Sequence, residues 1–288
     1  MLQQTRVAAV LEHYKRFLKG FPTLRHLAAA DEAAVLTAWS GLGYYRRARM
    51  MHQAAKILFA DRSPRIPETA AELRMLPGIG RYTANAIASI AFGEPLAVVD
   101  GNVERVIARI LRKKMTGECL WSTAQMLIDP DSPGEFNQAM MELGATICIP
   151  GVPLCHRCPV NRHCASRGME REKPLIPEKR LRRSSSVLIA RRNGSVLLRQ
   201  RGQRERLMPG MWELPEARGT IFGEPLLTVT HAITVTDWRV NVFAGNKRLA
   251  GNGAQWIPVA GVSGLPLTGL TRKILSKLNL LSSNPIGC

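Results

Sequence analysis

Four cysteines, Cys148, Cys155, Cys158 and Cys164, stand within seventeen residues at the spacing C-x6-C-x2-C-x5-C. Thiolates this close in sequence can wrap one metal centre without long-range chain closure, and the spacing fits a [4Fe-4S] cluster. The segment they span, Cys148-Ile-Pro-Gly-Val-Pro-Leu-Cys155-His-Arg-Cys158-Pro-Val-Asn-Arg-His-Cys164, is rich in Pro and Gly, which predicts a loop rather than a helix or strand. Tetrahedral zinc also takes four cysteines, but zinc sites usually present two C-x2-C knuckles and one is found here. Disulfides would need an oxidising compartment; the chain shows no apolar signal region, and Cys119 and Cys288 would be left over.

A second chemical candidate is Asp100, in Val98-Val99-Asp100-Gly101-Asn102-Val103-Glu104-Arg105, just ahead of the apolar helix repeat Val103, Val106, Ile107 and Ile110. Position alone reads as an N-cap. A cap does not exclude chemistry, because a carboxylate fixed by backbone donors can stabilise a cationic sugar in a transition state. Twenty residues earlier, Leu76-Pro77-Gly78-Ile79-Gly80-Arg81-Tyr82-Thr83 ends at a helix start, and its two glycines permit a tight hairpin. Such a turn directs backbone N–H groups outward beside a positive helix end, which suits a DNA phosphate without reading a base. An ordinary helix–helix turn is the alternative.

The elements that must position these groups fall into distinct stretches. Residues 1–147 read as helices, with Val7, Val10, Leu11 and Tyr14, then Ala48, Met51 and Ala55, then Ala84, Ile87, Ala88 and Ile90 at three-to-four residue spacing. Residues 148–164 form the cysteine loop, and 165–185 are charged and Pro-punctuated, as a basic linker is. Over 186–280 the period shifts towards two, in Ser186–Ala190, Ser195–Arg199 and Trp238–Phe243, with a closing helix around Thr268–Leu278. The fold class is therefore α + β and multidomain. With 40 Lys plus Arg against 22 Asp plus Glu, the net charge is +18. Residues 151–200 carry nine of those excess charges, so a polyanionic partner is expected and nucleic acid is the natural one. No apolar run reaches the roughly eighteen residues of a membrane span, and the basic run 178–186 lacks the apolar face a membrane-surface helix needs.

Taken in this order, the glycine hairpin, Val-Asp-Gly-Asn-Val and the four-cysteine loop resemble the helix-hairpin-helix, iron–sulfur DNA glycosylase superfamily that includes endonuclease III. Three further segments, Met1-Leu-Gln-Gln-Thr5, Gly41-Leu-Gly-Tyr-Tyr45 and Phe136-Asn-Gln-Ala-Met-Met-Glu-Leu-Gly-Ala145, are similar to motifs of the MutY adenine DNA glycosylases. The likeness is strong over residues 1–167. It implies an all-α helix-hairpin-helix glycosylase domain with a [4Fe-4S] loop, then a Nudix-like, strand-rich domain that recognises 8-oxoguanine.

The family's reaction is base excision. Adenine opposite 8-oxoguanine or guanine is flipped from the duplex and its N-glycosidic bond hydrolysed, which needs an acid for the leaving base and a carboxylate for the oxocarbenium-like sugar. By this resemblance Asp100 is the carboxylate, and Tyr82 supports the acid where bifunctional relatives carry a lysine nucleophile. A monofunctional enzyme without a Schiff base is thus expected. The family's acid is a glutamate two residues upstream of the methionine that is Met1 here, so an N-terminally truncated chain is expected, one that binds better than it cuts. Gln3, Gln4 and Tyr44 match residues that fill the stack around the flipped base, and Gln138 one that reads the adenine edge. Leu76, Gly78, Gly80 and Asn102 belong to the DNA-contacting set. His231 and Thr234 match the loop probing 8-oxoguanine, although many relatives have F-S-H where this chain reads Ile233-Thr234-Val235. No Nudix box follows Pro215, since only Glu216 and Glu224 occur before His231, so lesion recognition rather than pyrophosphate hydrolysis is expected. The expected setting is a cytoplasmic, nucleoid-associated monomer on double-stranded DNA, because a lesion has no two-fold symmetry to match. A sliding clamp or an abasic-site nuclease is the further partner. A non-catalytic mispair-binding protein and an endonuclease III-type glycosylase-lyase are the competing functions, the second opposed by Tyr82.

Overall fold

The computed structural model describes residues 1, 7–60, 65–167, 169, 180–205, 207–217, 223–233, 235–245 and 253–281. The chain divides into two compact units: a central one, Asp61–Glu178, and a composite one formed by Met1–Ala60 with Lys179–Cys288.

Four helices open the composite unit: α1 (Val7–Gly20), α2 (Leu24–Ala29), α3 (Glu32–Trp39) and α4 (Tyr45–Ala60). Thr23 begins α2, its hydroxyl accepting the His26 N–H at 3.3 Å. Val35, Leu36 and Trp39 of α3 pack with Tyr45 and Ala48 of α4 and with Val10 and Phe17 of α1. Each fully buried aliphatic or aromatic side chain of this kind contributes about 1.5–3 kcal/mol.

The central unit holds α5 (Ala70–Leu73), α6 (Arg81–Phe92), α7 (Gly101–Ile110), α8 (Gly117–Leu127) and α9 (Pro133–Thr146). Gly93, at φ +73°, closes α6 with its N–H on the Ala88 and Ser89 carbonyls. Helix α7 buries Val103 and Ile107 against Ala97, Met115, Leu120 and Ala124. Two glycines let α9 approach its neighbours: a Cβ on Gly134 would sit 2.8 Å from the Ser89 carbonyl oxygen, and one on Gly144 would sit 2.6 Å from Asn102 Cβ. After α9 the cysteine segment is a loop, as its composition predicts, with short 3-10 turns at Cys155–Arg157 and Asn161–His163.

The remainder of the composite unit carries β1 (Leu181–Ile189), β2 (Arg191–Arg192), β3 (Ser195–Gln200), β4 (Trp212–Glu213), β5 (Leu227–Ile233), β6 (Thr236–Ala244), β7 (Ala254–Pro258), α10 (Val259–Val262) and α11 (Gly269–Lys277). One sheet has the order β1-β6-β5, with β1 parallel and β5 antiparallel to β6. In the other, β3 pairs β2 and β4 near its two ends and β7 along its length. Val187, Val196, Val229, Val240 and Val242 alternate inward to meet Ile274 and Leu275 of α11. The expected strands and closing helix are present, but β1 begins at Leu181, inside the stretch read as linker. Its first four residues are exposed and paired with β6, which leaves no apolar alternation to find.

Candidate functional site

In the central unit the hairpin is built from both sides. Thr69 caps α5 by accepting the Glu72 N–H at 3.3 Å, and Leu76 is buried at the turn. Gly78 has φ +81°, a conformation that a Cβ strains, whereas Gly80 is extended and a Cβ there would meet open space. Gly80 begins α6 without a side-chain cap, so the first turn of α6 lacks the acceptor that a Ser or Asp would supply.

Asp100 caps α7 as the sequence predicts. Its Oδ1 accepts the Asn102 and Val103 N–H groups at 2.9 and 2.8 Å, and its Oδ2 accepts Asn102 Nδ2 at 3.1 Å. Asn102 in turn accepts Arg105 at 2.9 Å, and the same guanidinium donates to the carbonyls of Gly144 (2.7 Å) and Cys148 (2.8 Å). The segment entering Asp100 is pinned by three side-chain amides. Asn85 donates to the Ala97 carbonyl at 2.8 Å, Gln125 accepts the Ala97 N–H at 2.9 Å, and buried Asn137 accepts the Val98 N–H at 3.0 Å while donating to the Leu96 carbonyl at 2.8 Å. These amides escape sequence reasoning except that Asn137 lies inside Phe136–Ala145, whose two adjoining polar residues interrupt an apolar helix.

Tyr82 stands in the first turn of α6 with its hydroxyl 3.5 Å from Met141 Sδ of α9. Burial, and after it the Asp100 charge, raises its pKa above the ordinary 10.0, so the phenol and the carboxylate share one neighbourhood. Gln138, one turn before Met141, is exposed and donates to its own helix at the Gly134 carbonyl. Tyr82, Asp100 and Asn102 are thus gathered where α6, α7 and α9 meet.

All four predicted cysteines line a cavity of about 210 Å³, together with Val106, Arg109 and Asn161. None of the four is in a disulfide. Among the described residues no three His, Cys, Asp or Glu side chains converge on a single-ion site. Arg109, buried on α7, holds the loop by donating to the Ile149 and Gly151 carbonyls at 2.8 and 3.1 Å and to Cys148 Sγ at 3.4 Å. Arg157, Arg162 and His163 are exposed on the loop's rim.

Other predicted residues belong to the composite unit. Tyr44 is exposed with φ +49°, between Gly43 (φ +70°) and the buried Tyr45, and the Arg47 guanidinium lies 5.1 Å from its ring centroid. Of the basic residues that follow, Arg46 is exposed, whereas Arg49 is held by Glu32 at 2.8 Å and by the Pro209 carbonyl. His231 is half-buried beside Gly269, and burial followed by the Lys273 charge lowers its pKa. Gln3, Gln4 and Thr234 lie outside the described residues.

Residues 1–118 match the HhH-GPD superfamily of base excision DNA repair proteins. The human adenine DNA glycosylase is 45% identical over 194 residues, covering 65% of this chain and 36% of the human protein. Its counterpart from Rattus norvegicus is 48% identical over 171 residues, covering 57% of this chain and 33% of the rat protein. Over these residues the chain is similar to the MutY family of adenine DNA glycosylases. It spans about a third of the length of these two MutY relatives. A solved endonuclease III–DNA complex superimposes with a TM-score of 0.51 at 28% identity, over 56% of this chain and 77% of that one. The helical glycosylase fold expected from this resemblance is therefore present. Among the described residues no helix is long and apolar enough to cross a membrane.

Proposed function

We propose that this chain acts on double-stranded DNA as a monofunctional adenine DNA glycosylase, flipping adenine from a mispair with 8-oxoguanine or guanine and hydrolysing its N-glycosidic bond. The observation that carries the reading is the pairing of Asp100, whose carboxylate is fixed by three donors, with Tyr82 in place of an amine nucleophile. A carboxylate held this way needs little reorganisation as positive charge develops on the sugar. Tyr82, kept protonated by burial, can donate a hydrogen bond but cannot form a Schiff base. Gly78 and Gly80 would bring the start of α6 to a phosphate. Gln138, exposed one turn from Met141, would meet the adenine edge, and Tyr44 would enter the base stack. Gln3 and Gln4 would join Tyr44, while His231 and Thr234 would face 8-oxoguanine. The functional division would follow residues 1–147, 148–164, 165–185 and 186–280, with β1 of the last part starting early, at Leu181.

Cys148, Cys155, Cys158 and Cys164 would hold a [4Fe-4S] cluster. The fit rests on four thiols spaced around one cavity, none of them in a disulfide, and on Asn161, whose buried amide oxygen has no partner among the described residues. Turned over, that amide would present its NH2 to an anionic sulfur. When bound, the cluster supplies structure to the loop and brings Arg157, Arg162 and His163 towards phosphate. A sliding clamp or an abasic-site nuclease would act after release.

The test is single-turnover adenine release from a duplex with one adenine opposite 8-oxoguanine, using this chain and a version extended upstream to place a glutamate two residues before Met1. Release by the extended chain, lost in its Asp100→Asn variant, supports the reading. Tight mispair binding with no release from either version would favour a mispair-binding protein instead.

A further inference from the structure

The loop carrying Tyr44 runs through left-handed backbone at Gly41 (φ +109°), Gly43 (φ +70°) and Tyr44 itself (φ +49°). For a non-glycine residue that conformation costs about 1–2 kcal/mol and persists only where its surroundings over-determine it. The surroundings come from the other end of the chain. Ser40 and Tyr45, the buried residues flanking the loop, both donate to one acceptor, the Leu267 carbonyl, at 2.9 and 3.2 Å. Arg272 Nε donates to Ser40 Oγ at 3.0 Å, which fixes that hydroxyl's direction. Leu42, in the middle of the loop, is buried in the same cluster as Met211.

The acceptor is itself immobilised. Trp212 bonds on both sides of Leu267, its N–H to the Pro266 carbonyl at 2.8 Å and its carbonyl to the Thr268 N–H at 2.9 Å. Thr268 then caps α11. The same helix grips the strand bearing His231: Lys273, next to Arg272, donates to the Thr230 carbonyl at 2.8 Å, and a Cβ on Gly269 would sit 3.7 Å from the His231 ring.

We infer that Arg272, Ser40 and the Leu267 carbonyl are a positioning device for Tyr44, with α11 tying the wedge loop to the strand pair β5–β6. The C-terminal part of the chain thereby sets how far Tyr44 enters the duplex, and lesion contact on β5 and base unstacking at Tyr44 share one rigid helix. The inference rests on the reading of Tyr44 as a stacking residue in the proposed function.

The test uses the full chain on a duplex with 2-aminopurine opposite 8-oxoguanine. The fluorescence rise on unstacking is read beside anisotropy for affinity and near-ultraviolet circular dichroism for folding. Ser40→Ala, which removes one hydroxyl, and Arg272→Leu are expected to lower the rise about three- to fivefold with affinity changed less than about twofold. Arg272→Lys should retain most of it. Combined with Tyr44→Ala, Arg272→Leu should add nothing, because the brace then has nothing to position. A rise equal to wild type in folded Ser40→Ala and Arg272→Leu, with Tyr44→Ala impaired, overturns the inference and leaves the proposed function standing. If Tyr44→Ala also matches wild type, Tyr44 is no wedge and the inference fails with its premise. No rise from bound wild type overturns both.

Discussion

Asp100 and Tyr44 are held by opposite strategies. The aspartate is fixed by groups two and three residues along the chain, in the first turn of the helix it caps. Tyr44 sits in a loop whose flanking residues bond to an atom more than 220 positions away. In the proposed function the Asp100 charge meets a sugar, and it would gain from short-range anchoring, since few torsions lie between it and its donors. In the same proposal Tyr44 enters a base stack, and it would gain from an anchor on a part of the chain that could also touch the lesion. The comparison predicts that the central unit keeps its local geometry when distant parts are damaged, and that the composite unit does not.

The largest effect expected of a single change is in the cysteine loop. Arg109→Ala leaves the partly buried carbonyls of Ile149 and Gly151 without their charged donor and should destabilise the loop by about 3 kcal/mol. Hydrogen exchange should show this as lost protection around residues 148–164, with the Asn102 and Val103 amides unchanged. Loss of both together would break the claim that Asp100 is locally secured.

Next comes the cap itself. Asp100→Ala should cost about 1–2 kcal/mol, seen at the first-turn amides of α7, while Asp100→Asn keeps an acceptor and should cost only a few tenths. Adenine release by the extended chain should vanish in both variants, separating the structural role from the chemical one. A smaller contrast lies within the hairpin. Gly78→Ala should lower the thermal stability of the central unit by about 1–2 kcal/mol because of its positive φ, and Gly80→Ala by less than about 1 kcal/mol because there is space for a methyl. Equal losses would mean that the hairpin responds to added bulk rather than to backbone conformation.

The smallest effects are in pH dependence, and their signs differ between the units. His52 of α4 is buried, and burial first, then Lys56, lowers its pKa below 6.5; its Ala30 hydrogen bond and the Glu32 and Asp31 charges oppose this. The unfolded chain therefore takes up the proton first, and stability present above pH 6.5 is lost as the pH falls. Tyr82 is shifted the other way, so the unfolded chain releases its proton first and stability declines as the pH rises above 10.0. Acid should loosen the composite unit and alkali the central one, each followed by hydrogen exchange. Replacing His52 by Gln should flatten the acid limb alone.

Much of this molecule is legible in its sequence, and the reason differs by region. Helices α4, α6 and α7 lie where apolar spacing predicts them, since each buries one face against neighbours close in the chain. Helix α1 is less faithful. Val10 and Phe17 are buried, but Leu11 and Tyr14, on the same predicted stripe, are about half exposed. Spacing identifies a helix without saying how wide a face its neighbours cover. The beginning of β1 was invisible because strand pairing uses backbone groups that every sequence possesses.

The residues that could do chemistry were named by type and spacing: the cysteines by their density, Asp100 by its place before an apolar helix, Gly78 by the turn it must make. Those properties depend on a few consecutive residues, and local sterics and capping settle them. The sequence could not name Asn85, Gln125 and Asn137 as the clamp on the segment before Asp100, Arg109 as the buried grip on the cysteine loop, or the Leu267 carbonyl as the shared acceptor of Ser40 and Tyr45 around the Tyr44 loop. Each role belongs to a hydrogen bond with a backbone atom, which carries no sequence signature. Its partner is chosen only when helices and strands far apart in the chain close on one another.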